Sequence, residues 1–409
     1  MSARRDAAER GRTSARGVLL ASLAGSLLLA IWLVLQDARA LPIVAALALA
    51  LIGVWPLAAA LGRRAANPGW LLVLASLNAV IVVPELALRL SGFRYEAGTQ
   101  FGYPRPSQFS AFEPHRQLFW SYRPSDPDIN SWGFRGPEVE LPKPSNVFRV
   151  LTLGDSCSEK GYPEELERQL GSERAGATRF DVTRLATSGY SSHQGRLAAE
   201  LYAERIEPDL ALVYFGWNDH WRAYGAPDAE KQVVLCDGLL DRAYARSLRV
   251  SRLLGLASWL RDGLRGVDRE PSDSPRVPPE DYRENLRAIA QQLRGAGAEV
   301  IFVTAPTSVY RLGVPAYLMQ AGLTPDAETL LAEHRGYNQI AREVARDESA
   351  YLLDLEAELG RLPNEELESI FRLDGIHFTP LGAERVAARI AAFLAGEGLL
   401  PGQSRVSRP

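Results

Sequence analysis

The chain has 409 residues, 46% of them hydrophobic and 23% charged, with a formal net charge of -3. It is longer than one ordinary domain and too apolar for a disordered or fibrous protein. Residues 1–92 hold nine arginines and four acids, which leaves the remainder net acidic and excludes a general nucleic-acid binder, and two cysteines, Cys157 and Cys236, make no disulfide framework or zinc-ligand pattern, so no structural metal is implied.

Three apolar stretches fill the first quarter, at about 17–35, 41–61 and 70–88. Each approaches the roughly 20 residues with which a helix crosses about 30 Å of hydrocarbon, so residues 1–90 are expected to form three transmembrane helices. A cleaved signal peptide is the rival reading of the first, but its apolar run is too long and two more follow. Arg4, Arg5, Arg10, Arg12 and Arg16 precede the first stretch, and Arg63 and Arg64 lie between the second and third. Arginine-rich segments stay in the cytoplasm, so three crossings leave the rest of the chain outside it, on a multi-pass protein of a bacterial inner membrane. The third stretch is interrupted by Asn78, Pro84 and Glu85, and Glu85 is placed to pair with Arg89 near the interface.

Residues 91–146 are rich in Pro, Gly and aromatics and lack helical periodicity, which reads as an ordered, membrane-proximal connector. Its aromatics, among them Phe112, Phe119, Trp120, Tyr122, Trp132 and Phe134, are expected to pack on the domain that follows. From residue 147 to 396, short apolar runs at 148–153, 180–186, 211–215, 298–305 and 351–355 alternate with helical patterns at 163–170, 192–206, 279–295, 326–346 and 382–394. Strands buried on both faces and separated by amphipathic helices predict a doubly wound α/β domain with a parallel sheet. An insertion at 220–278 is long for a connection and is expected to supply a lid or pocket wall. Within it Leu253, Leu256, Ala257, Leu260 and Leu264 recur at helical spacing among arginines; that face either covers the α/β domain, the default, or lies on an anionic bilayer. Residues 397–409 are expected to fray.

Ligands of such sheets sit at the carboxyl ends of the strands. Those ends carry Gly154-Asp155-Ser156, Ser188-Gly189 and Gly216-Trp217-Asn218-Asp219, while Asp374-Gly375-Ile376-His377 precedes the last helix. A hydroxyl nucleophile needs a base, and a base needs an orienting group. Ser156 is the candidate nucleophile, His377 the base, and Asp374 the carboxylate that holds the imidazole. The backbone N–H groups of Ser156 and Gly189 and the side-chain amide of Asn218 are the candidate oxyanion hole. Asp155 and Asp219 are expected to brace their loops. His115, His193 and His334 read as surface or supporting residues, and His220 as a possible substrate contact. Cys157 and Cys236 either remain buried thiols, the preferred reading, or join the insertion to the active-site loop as a disulfide.

Singly these signals are weak, and their order and placement carry the weight. The arrangement resembles the SGNH (GDSL-like) hydrolase superfamily over about residues 147–396, with Ser156, Gly189, Asn218 and His377 as its four named residues. INSWGFRGPE followed by RVLTLGDSC is also similar to the approach to the nucleophile in membrane-tethered bacterial members. One departure is Arg184-Leu185-Ala186-Thr187-Ser188-Gly189, where such families often place Asn-x-Gly ahead of the glycine. The resemblance implies a flavodoxin-like three-layer sandwich and a serine esterase working through an acyl-serine intermediate, with no cofactor. Its expected substrates are O-acyl esters, O-acetyl above all, of extracytoplasmic polysaccharide. An O-acyltransferase using the same triad, a lipid or lysolipid esterase, and a noncatalytic component of a polysaccharide assembly are the alternatives.

Overall fold

The structure, a computed structural model, describes residues 83–93, 111–115, 117–124, 126–172, 178–231, 251–264 and 271–403. The chain divides into two compact units, one of residues 1–97 with 236–267 and one of residues 98–235 with 268–409.

The second unit is built on five parallel strands: β3 (Val147–Gly154), β4 (Arg179–Ala186), β5 (Leu210–Tyr214), β8 (Glu299–Val303) and β9 (Tyr351–Leu353). Their order is β4-β3-β5-β8-β9. The sheet therefore reverses direction of winding between β3 and β5, and a crevice for ligand opens at such a switch point beyond the carboxyl ends of the two strands. Gly154 is in register with Tyr214 there, so the segments holding Ser156 and Asn218 leave the sheet side by side.

Four long helices connect the strands, α1 (Tyr162–Ser172), α2 (Ser192–Ile206), α3 (Pro279–Gly295) and α4 (Ala327–Asp347), and α5 (Pro380–Gly396) follows the last. Their ends follow local chemistry. Ser191 and Gln194 close a reciprocal capping box on α2, Asp326 accepts the Thr329 N–H at 2.7 Å to start α4, and α3 and α5 open with Pro279 and Pro380, whose missing N–H is no loss in a first turn. Side chains alternate across the strands, so Leu151, Leu153, Ala211 and Val213 face one core with α2 and α3, while Val150, Leu210 and Leu212 face the other with α1 and α5. These layers make the sandwich expected from the sequence.

The connector is part of the fold. Phe112, Phe119, Trp120, Tyr122 and Phe134 are buried in the first core, as their composition suggested, and they sit on or beside an antiparallel hairpin of β1 (Phe112–His115) and β2 (Phe119–Tyr122) that the sequence reading did not foresee. His115 holds the hairpin turn, its Nδ1 accepting the Leu118 N–H at 3.0 Å. The insertion begins and ends in a second ribbon, β6 (Arg222–Tyr224) against β7 (Pro271–Pro275).

In the first unit the helix Arg252–Leu264 belongs with helical residues 83–90. Glu85 explains the association. Its buried carboxylate accepts the N–H groups of Arg252 (2.9 Å) and Leu253 (2.8 Å) and the Ser251 hydroxyl (3.0 Å), a side-chain cap on a helix start. Arg89 pairs with the same carboxylate at 2.8 Å, as expected. The stretches at 17–35 and 41–61, and all but the end of 70–88, lie outside the described residues. Among the described residues no helix is long and apolar enough to cross a membrane.

Cys157 is a free, buried thiol, in line with the preferred reading, and Cys236 lies outside the described residues. One expectation is corrected. The tail does not fray from 397, because Leu399 and Leu400 are buried in the second core.

Candidate active site

Gly154 ends β3 where no side chain fits: a Cβ would stand 2.6 Å from both the Tyr214 carbonyl and the Ser158 hydroxyl. The chain then turns through Asp155 and Ser156 toward α1. The Ser156 Oγ lies 2.8 Å from His377 Nε2, and His377 Nδ1 lies 2.7 Å from Asp374 Oδ2. The second Asp374 oxygen accepts the N–H groups of Ile376 and His377, both at 2.9 Å. This is a tight turn that fixes carboxylate and imidazole within one loop. Its outer edge is held by Gly375, whose carbonyl accepts the Thr307 hydroxyl (2.7 Å) and the Ser308 N–H (3.1 Å) from the loop after β8.

Electrostatics suit a proton relay. Burial works to raise the Asp374 pKa, but the hydrogen bonds from His377 and from the backbone outweigh it and hold the carboxyl below its ordinary value. Burial likewise works to lower the His377 pKa, and the Asp374 hydrogen bond and charge outweigh it, so the imidazole is raised above its ordinary value. With Asp374 ionised, Nδ1 carries a proton and Nε2 is left as the acceptor facing the serine hydroxyl.

Three candidate donors lie on the segments that leave the carboxyl ends of β3, β4 and β5. The N–H groups of Ser156 and Gly189 have no acceptor among the described residues. Asn218 gives one amide hydrogen to Asp155 at 3.2 Å and keeps its second. Gly189 has φ +82, a left-handed conformation that glycine adopts without strain. The sequence Ser188-Gly189 therefore turns as needed without the Asn-x-Gly pattern.

Asp155 and Asp219 brace this layout as expected. Asp155 accepts the Cys157 N–H (2.9 Å) and the Asn218 amide, which ties the β3 and β5 ends together. Asp219 accepts the Gly216 N–H (3.0 Å) and the Ser192 N–H (2.8 Å), which ties the β5 end to the start of α2. Burial pushes their pKa values up, to about 6 for Asp155 and about 7 for Asp219.

Among the histidines the reading of His220 is corrected, and the supporting one of the two readings of His334 holds. His220 and His334 are both fully buried; His220 Nε2 lies 3.1 Å from His334 Nδ1, whose other nitrogen meets the Ala305 carbonyl at 2.9 Å. His220 is thus packed behind the β5 loop and not open to substrate, and His334 is not a surface residue. A buried network went unnoticed in the sequence. Glu159, three residues after Ser156, accepts the Ser188 N–H (2.8 Å) and the Tyr122 hydroxyl (2.7 Å). Only its position beside the nucleophile could have signalled it.

A nucleophile–base–carboxylate line can attack a carbonyl, which is the chemistry of acyl transfer. The sequence model of the GDSL-like lipase/acylhydrolase family matches residues 152–385, more than half of the chain. The protein belongs to that family and is a hydrolase of ester bonds. Among solved structures it is similar to the lipase/acylhydrolase from Enterococcus faecalis (16% identity, 63% of this chain and 100% of that one, TM-score 0.39). It is also similar to the psychrotrophic esterase EstA from Pseudoalteromonas sp. (15%, 61% and 97%, TM-score 0.35) and to the acetyl xylan esterase AlAXEase (16%, 60% and 100%, TM-score 0.38). No curated protein matches the chain.

Proposed function

We propose that the protein is a membrane-anchored serine esterase that removes O-acyl groups, chiefly O-acetyl, from polysaccharide outside the cytoplasm. The observation that carries the chemical part is the unbroken line from Ser156 Oγ through His377 to Asp374. Ser156 attacks the ester carbonyl as His377 Nε2 takes its proton. The tetrahedral oxyanion is held by the two backbone N–H groups and the Asn218 amide. The protonated imidazole then gives its proton to the leaving alkoxide, and the acyl group stays on Ser156. Water, deprotonated by the same imidazole, attacks the acyl-serine; the bond to Ser156 Oγ breaks, the imidazolium returns the proton to that oxygen, and the carboxylic acid is released.

Membrane anchoring rests on the apolar stretches at 17–35, 41–61 and 70–88 and on the arginines that flank them. The polysaccharide assignment rests on that placement together with the resemblance to membrane-tethered bacterial members of the family. The test is acetate release from O-acetylated polysaccharide by the full chain in detergent, against release of longer acids from lipid esters. Acetate release abolished by Ser156→Ala supports the proposal. Release of fatty acid alone makes the protein a lipid esterase, and acetyl transfer that requires a carbohydrate acceptor makes it a transferase.

A further inference from the structure

The oxyanion donor at Gly189 belongs to a peptide that two distant parts of the chain hold in place. The carbonyl of that peptide is Ser188 C=O, and it accepts the Trp120 indole N–H at 3.2 Å. In a trans peptide the N–H points away from the C=O, so fixing the Ser188 oxygen on the connector side turns the Gly189 N–H the opposite way. The next peptide is fixed as well, since the Gly189 carbonyl accepts Arg276 Nη1 at 2.7 Å. Arg276 is itself immobile: it is buried and paired with buried Asp228 at 2.7 Å, and its Nη2 also reaches the Gln194 side chain at 3.1 Å. The loop's first residue is pinned too, with the Ser188 N–H on Glu159 and the Tyr122 hydroxyl on the same carboxylate oxygen.

Glycine at φ +82 is conformationally permissive, so its peptide planes rotate unless something outside the loop stops them. Trp120 is 1% exposed and lies on β2, in a segment that precedes the family match at residue 152. We infer that Trp120 is a positioning residue for catalysis, which aims the Gly189 N–H into the oxyanion hole through the Ser188 carbonyl, so that the connector hairpin is a working part of the active site. This rests on the reading of Gly189 as an oxyanion donor. Trp120 touches no reacting atom. Its removal lets the peptide tilt, and a donor that is misaligned in the transition state lowers kcat while leaving ground-state binding nearly intact.

The experiment uses the full chain in detergent with Trp120→Phe, and as a second variant 3-benzothienylalanine at position 120, which keeps the indole shape and lacks only the N–H. Two rates are read: kcat and KM for an aryl acetate, and the rate at which a fluorophosphonate labels Ser156, since that adduct also places an oxygen in the oxyanion hole. Both variants should lower kcat and the labelling rate by about 10-fold, short of the roughly 100-fold or more that follows complete loss of a donor, with KM within about twofold. Kcat and labelling both within twofold of the parent in the benzothienylalanine variant overturn the inference, as does a loss confined to KM. Failure of the parent itself to label or turn over, with the chain folded, removes the esterase reading and this inference together. Parent activity with an unaffected variant removes the inference alone.

Discussion

Asn218→Ala separates transition-state stabilisation from structural support. The Asn218 amide carries two hydrogens, of which one is committed to Asp155 at 3.2 Å and the other is available to a developing oxyanion. Losing an oxyanion donor costs about 2.7–4 kcal/mol, or roughly 100- to 1000-fold in kcat. KM should change little, because the charge that the amide serves does not exist in the bound ester. The same substitution takes a donor from buried Asp155, which keeps the Cys157 N–H at 2.9 Å. That side effect is about 1–3 kcal/mol of stability, visible as a fall of several degrees in Tm at about 2–4 °C per kcal/mol for a domain of this size. Steady-state kinetics on an aryl acetate, run well below the variant's Tm, reads the catalytic part alone. Unchanged kcat would remove Asn218 from the oxyanion hole, and a rise in KM with constant kcat would make it a substrate-binding residue.

Several other outcomes follow from named contacts. Because Asp374 raises the His377 pKa, kcat/KM should climb with pH as His377 loses its proton, with a midpoint above the ordinary histidine value near 6.5; a flat profile from pH 5 to 8 would count against His377 as base. Asp374→Asn should lower kcat by about 10⁴, as loss of the orienting carboxylate does in such relays, and a loss of less than tenfold would show that Asp374 is dispensable. Arg276→Met leaves Asp228 paired with Lys231 and Ser191 but without its guanidinium, so thermal unfolding should register a loss of about 1–3 kcal/mol; an unchanged Tm would refute a stabilising role for this pair. Glu85→Ala uncaps the helix Arg252–Leu264 at a cost of about 0.5–2 kcal/mol. Hydrogen exchange at the Arg252 and Leu253 amides should accelerate while exchange in β3 does not, and equal protection in parent and variant would deny the cap.

Much of the catalytic unit was legible because its signals are local. Strand runs such as 148–153 are buried on both faces and end in glycine or a polar turn, and helices such as 192–206 are marked by helical spacing. The relay was legible because Asp374 and His377 are three residues apart and each cluster follows a strand or precedes a helix. The hairpin β1–β2 was not. Its second strand, Phe119–Tyr122, is buried at every position, so it shows no alternation, and its first contains Pro114, a residue that ordinarily argues against a strand. The ribbon strand Pro271–Pro275 reads as loop for the same reason. His220 was misplaced because burial of a polar ring depends on a partner 114 residues away, which composition does not reveal. Trp120 and Ser188 are likewise 68 residues apart, so the bond that orients the oxyanion peptide has no sequence signature.

The central claim is that Ser156 is an activated nucleophile in an ester hydrolase. Treating the full chain in detergent with a fluorophosphonate and locating the adduct by peptide mass spectrometry tests it most directly, with aryl acetate turnover followed in the same samples. The expected result is a single adduct on Ser156, turnover that falls in proportion to labelling, and neither adduct nor turnover in Ser156→Ala. Turnover that survives in Ser156→Ala, or an adduct on another residue of the folded protein, would contradict the account.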